Sequence, residues 1–72
     1  MTDVYAPMTG TVKAVHVRPG QEIEPGQELV TLESMKMEIP VEAEQTGRVR
    51  AVHVAPGTAI AEGSLLLSLE PA

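Results

Sequence analysis

At the near midpoint of the chain one lysine stands between two methionines, in the run Glu33-Ser34-Met35-Lys36-Met37-Glu38. A primary amine is a nucleophile once it loses its proton, so a lysine held clear of its surroundings can be acylated, and the group it receives then travels on a long tether. The two thioethers suit recognition, because a flexible, polarizable side chain adapts to the apolar surface of a ligand or partner. A plainer reading is also open: Lys36 as one of five basic residues on a solvated face, with Met35 and Met37 packed around a turn.

Other chemistry is poorly represented. There is no cysteine, which removes disulfides, thiolate nucleophiles and sulfur ligands for metals. His16 and His53 could ligate a metal or titrate near neutral pH, but they fall at equivalent places in two similar segments, which favours an ordinary strand role. No carboxylate-histidine spacing matches a hydrolase or metalloprotease, and no Gly-rich phosphate loop or nucleophile elbow is present. The chain is therefore expected to be a non-catalytic carrier or binding module. Glu33 and Glu38 flank the lysine and could orient a partner, although alternating polar strand residues would produce the same pattern.

The elements that must hold the lysine follow from an internal repeat. Shifting the sequence by 37 places Gly10 to Glu33 over Gly47 to Glu70, with 13 of 24 positions identical, enough to predict two halves related by a pseudo-two-fold axis. The match includes Val12, Ala14, Val15, His16 and Val17 over Val49, Ala51, Val52, His53 and Val54. Two copies are too few for a stacked solenoid, so the halves should close on each other.

Each copy is rich in β-branched residues and punctuated by Pro-Gly or Glu-Gly, without a helical stripe. The expected fold is all-β: a flattened β-barrel or sandwich, with the lysine on a hairpin and residues 1–72 forming one domain. Strands are predicted near Tyr5 to Ala6, Gly10 to Val17, Glu22 to Ile23, Glu28 to Glu33, Met37 to Val41, Gly47 to Val54, Ala59 to Ile60 and Leu65 to Glu70. Pro19-Gly20 and Pro56-Gly57 fit type II turns, and Gly26 and Gly63 end the next short excursions.

Alternation puts Val30 and Leu32 on one face and Thr31 and Glu33 on the other, with Leu67 and Leu69 against Ser68 and Glu70 in the second copy. Val15, Val17, Val52 and Val54 are further core candidates. Val12, Ala14 and His16 compete for the same face, and a bulge would change the register. Between the strands on either side, Ser34-Met35-Lys36-Met37 leaves room for a tight hairpin alone, so Lys36 should point outward.

Ten acidic against five basic residues give a formal charge of −5, which opposes binding to phosphate backbones and anionic membranes. Neither nucleic acid nor membrane is expected as a partner. No apolar run reaches the roughly 20 residues of a spanning helix, and Met1-Thr2-Asp3 has no leader features, so a cytoplasmic, monomeric protein is the expectation.

Through Glu33-Ser34-Met35-Lys36-Met37-Glu38 and the upstream Ala6-Pro7-Met8-Thr9-Gly10-Thr11-Val12, the chain resembles the biotinyl domain family, the carriers of biotin-dependent carboxylases and decarboxylases. The resemblance covers essentially the whole chain. It implies covalent biotin on Lys36, recognition through Met35 and Met37, and three partners: a biotin protein ligase, a biotin carboxylase and a carboxyltransferase. It also puts the segment around Met8 near the hairpin, where Met8 either contacts the attached group or fills the core. Ser34 stands where members of the family usually have alanine, and the protruding thumb of some acetyl-CoA carboxylase carriers is absent, which is similar to the small thumbless type. The related lipoyl domains commonly present Asp-Lys-Ala at this hairpin, so biotin is the expected cofactor. A lipoyl carrier and an unmodified small β protein that binds through its Met-Lys-Met tip are the two alternatives.

Overall fold

The computed structural model describes residues 3–72; Met1 and Thr2, where the start was read for leader features, lie outside the described residues. Eight strands follow in order: β1 (Val4–Tyr5), β2 (Gly10–Val15), β3 (Glu22–Ile23), β4 (Glu28–Ser34), β5 (Met37–Glu42), β6 (Gly47–Val52), β7 (Ala59–Ile60) and β8 (Leu65–Glu70). They form two four-stranded sheets, ordered β1-β8-β6-β3 and β5-β4-β2-β7. Adding 37 to the residue numbers carries β2, β3 and β4 onto β6, β7 and β8, so the two sheet orders are one order written for each copy.

The copies interlock. β3 of the first copy pairs with β6 of the second through Ile23↔Gly47, and β7 pairs with β2 through Gly10↔Ile60. Each half therefore depends on the other for a sheet neighbour, which is the mutual closure the repeat implied. The links are tight turns: Gly20 and Gly57 have φ of 90° and 95° directly after proline. The amides of Gln21 and Thr58 donate to the carbonyls of Arg18 and Ala55 across those turns.

The core is aliphatic and built from repeat-related pairs: Val12 and Val49, Ile23 and Ile60, Leu29 and Leu66, Val30 and Leu67, Leu32 and Leu69. No tryptophan or phenylalanine is available to fill it. Each fully buried Leu or Ile contributes about 1.5–3 kcal/mol relative to exposure, and a chain this short has few of them.

Two expectations about side-chain direction are corrected. Thr31 and Ser68, assigned to the faces away from the core with Glu33 and Glu70, are buried, at 7% and 3% exposure. Their hydroxyls are accommodated because His16 Nε2 and His53 Nε2 each lie 2.7 Å away. The contest between Val12 and Val15 for the inward face is resolved by a bulge in each copy. The register shifts between Val12 and Ala14 and again between Val49 and Ala51, leaving Lys13 and Arg50 as the extra, exposed residues. Val12 and Val17 are buried, while Val15, Val52 and Val54 are partly buried against the core. β2 and β6 end at Val15 and Val52, two residues before their predicted limits, and β1 is Val4–Tyr5 rather than Tyr5 to Ala6.

Candidate functional site

The β4-β5 ladder runs antiparallel from Glu28↔Glu42 to Ser34↔Met37, leaving Met35 and Lys36 as a two-residue loop. Both have positive φ, 53° and 66°, the pattern of a type I′ turn. That turn follows the right-handed twist of its strands, but its favoured residues are Asn and Gly. L-residues with larger side chains pay about 1–2 kcal/mol each to sit in the left-handed region. The sequence here carries none of the usual turn signal, and the strain falls on the motif that sequence reading singled out.

The backbone geometry throws the tip outward. Met35 is 90% exposed and Met37 64%, and Lys36 is exposed as well. The plainer reading, in which the methionines pack around the turn, does not describe them. Lys36 forms no ion pair among the described residues, whereas Lys13 pairs with Glu38 and Arg48 with both Glu22 and Glu70.

Below the tip, Glu33 and Glu38 face each other directly across the ladder, an unfavourable pairing of like charges. Lys13 offsets it. Projected by the bulge in β2, its Nζ donates to Glu38 Oε2, and this hydrogen bond, then the Glu38 charge, then Glu33, hold the Lys13 pKa above the usual lysine value. Both candidate recognition carboxylates are thus part of one charged strip beside the hairpin, with a cation the sequence reading did not connect to them. A bulge is hard to locate from one sequence, though Lys13 and Arg50 at equivalent repeat positions were a signal.

The base of the hairpin is braced by Gly10. A Cβ there would sit 2.6 Å from the Glu33 carbonyl oxygen and 3.4 Å from Ser34 Cβ, so β2 approaches β4 more closely than any side chain at that position would allow. The segment before it is tied elsewhere: the Glu62 amide donates to Thr9 Oγ1 at 3.2 Å. Met8 is half-buried.

The two histidines contact other residues. Thr31 Oγ1 donates to Glu28 Oε2, and His16 Nε2 is 3.3 Å from the same carboxylate, a local network that satisfies a buried hydroxyl. In the second copy Leu65 replaces Glu28, and His53 serves Ser68 without a carboxylate. Among the described residues no group of three or more His, Cys, Asp and Glu could hold a metal ion, and no helix is long and apolar enough to cross a membrane.

The chain is 57% identical over 37 residues to a biotin/lipoyl attachment protein of Bacillus subtilis (strain 168), a match covering 51% of each, so it spans about half the length of that curated relative. Its structure superimposes with a TM-score of 0.90 on part of a single-chain, multi-domain long-chain acyl-CoA carboxylase, at 32% identity over 99% of this chain and 7% of that one. The lipoyl domain of the 2-oxoglutarate dehydrogenase complex of Azotobacter vinelandii matches at a TM-score of 0.82 and 28% identity, over 96% of this chain and 95% of that one. The profile of the family described as biotin-requiring enzyme matches residues 2–69, nearly the whole chain, and with the shared barrel-sandwich architecture this makes the protein a member of the biotin/lipoyl attachment family.

Proposed function

We propose that this chain is a biotin carboxyl carrier domain and that Lys36 is its attachment site. The observation that carries the reading is the exposed amine of Lys36, without an ion pair among the described residues, at the apex of a strained two-residue turn between two exposed methionines. An acyl carrier needs its nucleophile outside the fold and on a rigid base. Here six rungs of ladder below the tip and the close approach at Gly10 supply the base.

The residues fit the group. In the attachment step the Lys36 amine, after losing a proton, attacks the acyl carbon of a biotinyl adenylate presented by a biotin protein ligase; the bond to AMP breaks and an amide forms. Met35 and Met37 offer the ligase an apolar surface on both sides of the amine, and Lys13 pairs with the Glu38 carboxylate beside the hairpin. When bound, biotin supplies a ring nitrogen that accepts and releases carboxylate. The protein supplies position: a tethered group meets a biotin carboxylase and a carboxyltransferase at high effective concentration.

Biotin is favoured over lipoate by the methionine on each side of Lys36 and by the likeness to an acyl-CoA carboxylase. A lipoyl carrier is the second reading, supported by the match to a lipoyl domain along nearly its full length. The test offers the folded chain to a biotin ligase with ATP and biotin, and separately to a lipoate ligase with ATP and lipoate, alongside Lys36→Arg. Biotin on the parent chain and nothing on a Lys36→Arg variant with unchanged circular dichroism supports the assignment, because a guanidinium cannot replace the amine. Lipoate alone replaces the cofactor, and biotin on the variant removes the site.

A further inference from the structure

The two methionines at the tip present thioethers to solvent with no part in the core. Met35 is 90% exposed and Met37 64%, whereas Met8 is half-buried. There is no cysteine to compete for oxidants. A small peroxide reaches sulfur by direct contact, so solvent exposure orders the rates. The positive φ of Met35 holds its side chain outside the sheet, where no neighbouring strand covers it.

We propose that Met35 and Met37 form a reversible oxidation site and that their sulfoxides block acylation of Lys36, making the attachment hairpin peroxide-sensitive while the fold is not. The step balances. A sulfur lone pair attacks one peroxide oxygen, the O–O bond breaks, the sulfur is oxidised by two electrons to the sulfoxide, and the peroxide is reduced to water. A sulfoxide reductase with a thiol reductant reverses it, using one enzyme class for each sulfoxide epimer.

The consequences follow from where the side chains lie. Oxidation turns a flexible apolar group into a polar, chiral one. In the core this would disrupt packing, but both sulfurs stand outside it, so the sheets keep their contacts. The surface that changes is the one flanking Lys36. This inference rests on the proposed attachment role, because it concerns the ligase's access to that amine. Losing the burial of one thioether against a partner corresponds to about a tenfold or larger fall in the specificity constant for attachment.

The experiment treats the full unmodified chain with limiting hydrogen peroxide, maps oxygen additions by fragmentation, and measures biotin ligase rates before and after, with and without sulfoxide reductases. The expected result is oxygen on Met35 and Met37 several-fold ahead of Met8, unchanged circular dichroism, a rate reduced about tenfold or more, and recovery after reduction. A Met35→Leu/Met37→Leu chain, whatever its own rate, should show the same rate with and without peroxide. The proposal is overturned if Met8 oxidises as fast as the tip, if the oxidised chain is modified at the untreated rate, or if the double leucine chain keeps its peroxide sensitivity. An untreated chain that the ligase never modifies overturns the attachment role and this proposal together, a result distinct from modification that ignores oxidation.

Discussion

Replacing Met35-Lys36 by Asn-Gly should make the protein more stable while removing the Lys36 amine. Both positions have positive φ, 53° and 66°. Relief of the left-handed strain is worth about 1–2 kcal/mol for each residue, and Asn and Gly are the pair this turn prefers. Against that, glycine at position 36 gives the unfolded chain more freedom, a loss of roughly 0.4–1 kcal/mol. Little else is forfeited, since Met35 is 90% exposed and no ion pair to Lys36 occurs among the described residues. The net gain is about 1–3.5 kcal/mol. For a domain of this size each kcal/mol moves Tm by roughly 4–8 °C, so thermal unfolding followed by circular dichroism should shift upward by about 4–28 °C. Urea unfolding should show a higher midpoint at unchanged slope. A midpoint at or below that of the parent chain would refute the idea that the tip is strained and that the strain is retained for the sake of the lysine.

Gly10→Ala should destabilise by about 1–3 kcal/mol, because its Cβ would meet a backbone oxygen at 2.6 Å, and amide exchange along β2 and β4 should speed up; an unchanged melting curve would contradict the close approach. His53→Ala should cost more than His16→Ala, since Ser68 then loses its hydroxyl's partner while Thr31 keeps Glu28; about 1–3 kcal/mol is expected for the former, and equal effects in urea titrations would count against this. The Lys13 pKa is raised on folding, so its contribution is complete below the ordinary lysine value of 10.5 and is lost as pH rises through the higher folded value. Lys13→Met should therefore flatten the fall in stability at alkaline pH, and identical pH profiles for the two chains would show the pair to be unimportant.

The repeat made most of this architecture legible. Identical residues 37 apart located the paired strands and turns, because the same aliphatic and Pro-Gly pattern written twice leaves few ways to close a small all-β chain. Val30 and Leu32, with Leu67 and Leu69, were marked by the alternation and are buried. The partner exchange, β3 with β6 and β7 with β2, was not legible, because two-residue strands carry no alternation that names a neighbour.

Burial of Thr31 and Ser68 was missed for a related reason. Strict alternation assumes an unbroken ladder, whereas the bulges at Lys13 and Arg50 shift the register and bring His16 and His53 over the hydroxyls. At the candidate site the exposed lysine was readable from its place between two strands. The turn type was not, because Met35 and Lys36 are poor residues for positive φ. Local preference fails here at the point where function is proposed, as expected where a site carries strain that the surrounding sheet sustains.

The charged strip beside the hairpin has the same origin. Glu33 and Glu38 oppose each other through the β4-β5 register, and Lys13 reaches Glu38 because the bulge turns it outward. Such exposed pairs contribute little to stability in solution, so their value to the protein is better sought in how the tip is presented to a partner.

Whether Lys36 accepts biotin is read from the intact mass of the chain after incubation with a biotin protein ligase, ATP and biotin, followed by fragmentation to locate the addition. One biotinyl increment confined to Lys36 is the predicted result. No increment beside a positive control that is fully modified, or an increment on another amine, would contradict it.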